Sequence, residues 1–354
     1  MEMQQALPSL RPLKLGELLD QAIRLYRRNF LTFIGIIAVV YVPITILQTA
    51  SSALLSSSIL DFTPSAPEEI FSRSSYWIGM LSTLLLAFLQ IFLVQGIATG
   101  ALAHAVGNSY LGKKTGILEA YRGIGKSLLS LLGALLLLGL FSIAAFLWWV
   151  IIPCLGWFTG LGMIVFLAGA IAPLTAPAVV LEGNGAFEGV RRAWSLARRR
   201  FWPLLGYILV LYLFSLLIVN GPAGIVGAVL TGAAGSGSFS DPNTYFMVTT
   251  IIQARVSLVA TLIYYPLQMT AFTLIYFDLR VRTEGFDIAI QTMEPNSETD
   301  EEQLMPAPPP QTGERLITWP EIGNFAILTL GAVGIYIIFF SVLMGSVFFF
   351  SSLF

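Results

Sequence analysis

The sequence predicts an all-α, polytopic membrane helix bundle. It has about seven transmembrane helices, with two or three amphipathic helices on the cytoplasmic face. Three observations predict it. Of the 354 residues, 56% are hydrophobic and 11% are charged, whereas a soluble domain carries about a quarter charged residues. The apolar residues form blocks long enough to cross about 30 Å of hydrocarbon, which takes about 20 residues each. The basic residues alternate between long and short loops as the positive-inside rule requires. The net charge of -1 gives no electrostatic basis for a nucleic-acid partner. Cys154 is the single cysteine, which excludes an intrachain disulfide and a cysteine-rich metal site.

The first twenty residues hold no apolar core and do not read as a cleaved signal peptide. Apolar stretches then fall near 30–50, 77–103, 127–152, 155–181, 203–230, 250–277 and 323–350. Several exceed the minimum span, so tilt or kinks are expected. Pro43, Pro173, Pro177, Pro222 and Pro266 lie inside spans. Each removes a backbone donor and crowds the preceding turn. They read as kinks that shape the bundle; the sharper alternative is that Pro173 and Pro177 break a helix beside a binding cavity.

Orientation follows from the cations. Arg11, Lys14, Arg24, Arg27 and Arg28 precede the first span, and Lys113, Lys114, Arg122 and Lys126 follow the second. Arg191, Arg192, Arg198, Arg199 and Arg200 follow the fourth, and Arg280, Arg282 and Arg315 the sixth. The intervening loops hold only Arg73. This pattern places the N-terminus in the cytoplasm of a bacterial inner membrane and, after an odd number of spans, the C-terminus outside.

Two basic segments have helical periodicity. Leu15, Leu18, Leu19, Ala22, Leu25, Tyr26 and Phe30 share one face, away from Arg24, Arg27 and Arg28. Phe187, Val190, Ala193, Trp194, Ala197 and Phe201 share a face in 186–202, with Arg191, Arg192, Arg198 and Arg199 set against it. Both predict helices lying on the membrane surface. Offset by 171 residues, Glu17 meets Glu188, Ala22 meets Ala193, Phe30 meets Phe201 and Gly35 meets Gly206. A weaker copy runs from Gly116 to Lys126, with Glu119 and Arg122 in register. The unit is one amphipathic helix followed by two spans, used three times in parallel orientation.

Further motifs carry a family resemblance: Leu15-Gly16-Glu17-Leu18-Leu19-Asp20, Tyr26-Arg27-Arg28-Asn29-Phe30, Ala176-Pro177, Arg192-Ala193-Trp194 and, most specific, Asp278-Leu279-Arg280-Val281-Arg282-Thr283-Glu284-Gly285-Phe286-Asp287. Over residues 10–290 the chain resembles the bacterial membrane domain that accompanies glycerophosphoryl diester phosphodiesterase in some proteins and stands alone in others. The resemblance implies a six-span membrane module. It implies no phosphodiester hydrolysis, which belongs to a separate soluble barrel with catalytic histidines and metal-binding carboxylates. The predicted domains are a six-span region (1–287), a disordered acidic and proline-rich cytoplasmic linker (288–320) and an additional C-terminal transmembrane helix (321–354). The linker and seventh span depart from the family pattern.

No catalytic residue, cofactor or metal site is assigned. A phosphate-binding loop and a His-Glu-x-x-His pair are absent from the sequence, and the sole histidine, His104, reads as interfacial. The candidate contacts for anionic headgroups or a partner protein are Arg27, Arg28, Arg191, Arg192, Arg198 and Arg199. Glu182, Asp278, Arg280, Arg282 and Glu284 are candidates for a structural ion-pair network. Arg255 is read as an outer-interface residue that snorkels, or as a cavity residue. The expected function is a non-catalytic membrane module that organises lipids or partner proteins at the cytoplasmic leaflet, with the 288–314 linker as a tether for a partner. A small-molecule or lipid transporter is the alternative, and an intramembrane lipid-acting enzyme ranks below it.

Overall fold

The computed structural model describes residues 11–60, 74–235, 242–291 and 318–351. The loop carrying Arg73, the centre of the loop after the fifth span and most of the linker lie outside those residues. Fourteen helices follow one another: α1 (Leu15–Arg28), α2 (Phe30–Leu60), α3 (Ser74–Gln90), α4 (Thr99–Tyr110), α5 (Ile117–Gly123), α6 (Leu128–Ile151), α7 (Leu155–Phe166), α8 (Ala172–Glu182), α9 (Ala186–Arg199), α10 (Phe201–Ser215), α11 (Gly221–Gly235), α12 (Pro242–Glu284), α13 (Phe286–Gln291) and α14 (Trp319–Ser351). Seven helical stretches are long and apolar enough to cross a membrane, and they coincide with the seven predicted.

Three of those spans change pitch midway. Wider π-helical turns at Ile91–Ala98, Leu167–Ile171 and Leu216–Asn220 join α3 to α4, α7 to α8 and α10 to α11. Two of them sit just before Pro173 and Pro222, whose rings crowd the carbonyls four residues back, inside the widened turns. The third has no proline. There the Thr99 hydroxyl donates to the Val94 carbonyl at 2.9 Å and occupies the acceptor that the wider turn releases. Pro177 does not open a cavity: Leu174 to Val179 are buried around it.

The core sits at one end of the molecule. α4, α8 and the second half of α12 pack against one another. They are buried over Thr99–Ala103, Leu174–Val179 and Gln268–Phe277, on all sides rather than along one stripe, as central helices must be. Elsewhere the spans turn large apolar side chains outward, among them Leu84 and Phe88 on α3, Ile143 on α6 and Leu217 beyond α10. α12 has 43 residues, about 64 Å of helix, roughly twice the hydrocarbon thickness.

The threefold pattern in the sequence has a structural counterpart. α1, α5 and α9 pack on α12, α4 and α8 respectively. The first turn of each carries an acid at the same position. Glu17 accepts from the Lys14 N–H at 3.0 Å, Glu119 from the Gly116 N–H at 2.8 Å, and Glu188 holds that place in α9. Each central helix is closed by a glycine in the left-handed region: Gly112 (φ 87°), Gly183 (φ 68°) and Gly285 (φ 65°). A side chain there is strained, which accounts for the residue type.

α1 and α9 depart from the surface-helix expectation. Their apolar faces are covered by protein, not left for lipid. Leu18, Ala22 and Tyr26 are buried on α1, and Val190, Ala193, Trp194, Leu196 and Ala197 on α9. The Leu13 N–H donates to Asp278 at 2.9 Å, and the Tyr26 hydroxyl donates to the Ile263 carbonyl at 2.7 Å. α1 therefore runs along α12. The sequence gave the amphipathicity correctly, but periodicity does not distinguish a lipid from a helix as the apolar neighbour.

The seventh span belongs to the bundle. α14 lies along α7, where Gly162 meets it so closely that a Cβ would come within 2.2 Å of the Phe325 carbonyl. The Gly162 N–H donates to the Thr329 hydroxyl at 2.8 Å. At the start of α14, Phe325 joins a cluster of Phe166, Trp194 and Phe201. The predicted linker begins later than expected, since α13 continues helically to Gln291.

Candidate functional site

The densest charge in the described structure lies where α8, α9 and α12 converge. Glu182 closes α8, and its side chain is fully buried. Arg192 of α9 donates to it from Nε at 3.0 Å, and Arg280 of α12 lies 3.2 Å from its other oxygen. Tyr276 and Asn184 also donate to this carboxylate, Asn184 at 2.9 Å. Glu284, one turn beyond Arg280, bonds it at 3.3 Å and takes a bidentate pair from Arg192. Two cations thus meet two carboxylates with little solvent access. Burial opposes the charge on Arg192, but Glu284 and Glu182 more than offset it and hold its pKa above the ordinary arginine value. The Arg280 guanidinium also covers the Phe286 ring at 4.3 Å.

A second pair lies one face away. Arg282 donates to Asp278 at 2.7 Å and to the Leu13 carbonyl, while Asp278 accepts from the Leu13 N–H. The residues of the predicted network therefore separate into two groups. Glu182, Arg280 and Glu284 form the buried cluster, and Asp278 and Arg282 fasten the segment before α1. The helical spacing of four made the Arg280–Glu284 and Asp278–Arg282 pairs legible.

The headgroup candidates also divide. Arg192 is 3% exposed and saturated by carboxylates, so it is corrected from a surface contact to the cluster's second cation. The signal was its row along the helix: Gly189 and Leu196, three residues before and four after it, are both buried. Arg198 pairs with Glu321 at 3.4 Å and ties α9 to α14. Arg27, Arg28 and Arg199 are exposed, and Arg191 is half-buried. Because the apolar faces of α1 and α9 are committed to the bundle, these four cations lie on its outside.

Arg255 is exposed and lines a groove of about 540 Å³ between α2 and α12, with Thr45, Thr49, Ile251 and Leu258. Its place on the α12 half far from the ion cluster fits both the snorkelling and the cavity reading. His104 is largely enclosed beside Gly123. Among the described residues, no group of three or more His, Cys, Asp or Glu could hold a metal ion.

This fold and charge distribution define a multi-pass helical membrane class with one basic, ion-paired end. Comparison with protein-family models, curated proteins and solved structures finds no match to the chain.

Proposed function

We propose that the chain is a non-catalytic membrane module whose basic end meets an anionic cytoplasmic leaflet and gathers lipids or a partner protein there. One observation carries this reading: Arg27, Arg28, Arg191 and Arg199 remain on the outside of helices whose apolar faces are used up by internal packing. Each cation near an anionic leaflet contributes about 1 kcal/mol of attraction. The resemblance to the membrane domain found beside glycerophosphoryl diester phosphodiesterase supports a module of this kind, in a bacterial inner membrane with the N-terminus inside. The linker gives a tether for a soluble partner.

The test is lipid selectivity. In vesicles of phosphatidylcholine with one-fifth phosphatidylglycerol, spin-labelled phosphatidylglycerol should be immobilised by the full chain in preference to phosphatidylcholine. Changing Arg27, Arg28, Arg191 and Arg199 to Gln should bring that preference close to unity. An unchanged preference overturns the lipid reading.

The second reading, a lipid or small-molecule transporter, is favoured by the Arg255 groove. It expects uptake of an anionic amphiphile into proteoliposomes that Arg255→Gln abolishes.

A further inference from the structure

A cavity of about 440 Å³ opens at the basic end between α1, α10 and the last turns of α12. Its floor is apolar and includes Leu18, Leu204 and Ile275. Its rim carries three cations, Lys14, Arg200 and Arg282, against one carboxylate, Asp278. That carboxylate is already committed to Arg282 and the Leu13 N–H. Lys14 is exposed, and Arg200 is half-buried with no ion pair among the described residues.

A second, independent feature points to a ligand. Tyr207 lines the same cavity, is 4% exposed, and its hydroxyl has no hydrogen-bond partner among the described residues. A buried hydroxyl left without a partner costs about 1–3 kcal/mol, so such groups call for an explanation. α1 and α10 also begin at this cavity, at Leu15 and Phe201. The positive ends of both helices add to the field there.

We propose that this cavity holds one anionic phospholipid, with its phosphodiester between Lys14, Arg200 and the Tyr207 hydroxyl and an acyl chain along Leu18, Leu204 and Ile275. A guanidinium fork, an ammonium and a hydroxyl donor suit a tetrahedral anion with two non-bridging oxygens. A choline headgroup brings its own cation to a rim already in positive excess. The proposal rests on the membrane reading above but differs in kind: one lipid held in a fixed place, rather than many attracted to a surface.

The experiment is native mass spectrometry of the full chain, delipidated in mild detergent and titrated with phosphatidylglycerol, phosphatidylcholine or inorganic phosphate. The expected result is one phosphatidylglycerol per chain, bound at least tenfold more tightly than phosphatidylcholine and not displaced by millimolar phosphate. Arg200→Gln should weaken it about tenfold, as expected for a lost charge-assisted bond. Tyr207→Phe should weaken it about fivefold, and Arg200→Lys should recover part of the loss. The site is overturned if Arg200→Gln and Tyr207→Phe, at wild-type melting temperature, bind phosphatidylglycerol unchanged. It is also overturned if phosphatidylcholine binds equally well, or if inorganic phosphate displaces the lipid. The variant lacking Arg27, Arg28, Arg191 and Arg199 separates the two ideas. It should keep the tight lipid while losing the broad preference; loss of the tight lipid in that variant would contradict the site proposed here.

Discussion

Arg192 shows what a single residue does in this bundle. Its guanidinium joins two helix ends, α8 through Glu182 and α12 through Glu284. Removing one member leaves uncompensated charge in the interior, which costs about 3–5 kcal/mol. Arg192→Leu should therefore lower the unfolding free energy by that amount in detergent, as read by urea or thermal unfolding. A cycle with Glu284→Gln should show a coupling of about 0.5–3 kcal/mol; additive effects would mean that the pair is decorative. Glu17 gives a milder case. The Lys14 N–H, and with it Arg11, holds its carboxyl below the ordinary range. The cap is complete above the ordinary carboxyl pKa and is lost as pH falls through the lower, folded value. An NMR titration of the Glu17 carboxyl should place its midpoint below that of free glutamate. Arg192 also marks the limit of sequence reading. Its partners lie 10 and 92 residues away, and only its buried neighbours Gly189 and Leu196 distinguished it from the exposed Arg191.

At the scale of elements, the seven spans and the three acid-capped helices were legible because length, apolar content and first-turn chemistry are local. The packing partner of an amphipathic face was not, since lipid and protein are equally apolar. α1 and α9 turned out to be clamped to central helices. The place of α14 was equally hidden, because no charge follows it in the sequence and its fit depends on the missing side chain of Gly162. This yields a test. With a protease site inserted near residue 305, the cleaved 318–354 fragment should co-purify with the remainder of the chain. Gly162→Leu should release it. Co-purification unaffected by that substitution would contradict the α7–α14 fit.

At the scale of the whole molecule, the account divides the bundle into a basic end and an apolar end. The ion cluster, the exposed arginines and the proposed lipid cavity all lie at the first. The turn between α6 and α7 lies at the second, and it carries the only cysteine, Cys154, which is exposed. The central claim is that the basic end faces the cytoplasm. Labelling the cysteine with a membrane-impermeant maleimide in intact spheroplasts tests it directly. The account predicts that Cys154 is labelled from outside, whereas Arg27→Cys in a Cys154→Ser background is labelled only after permeabilisation. The reverse pattern, with Arg27→Cys reached first, would contradict it.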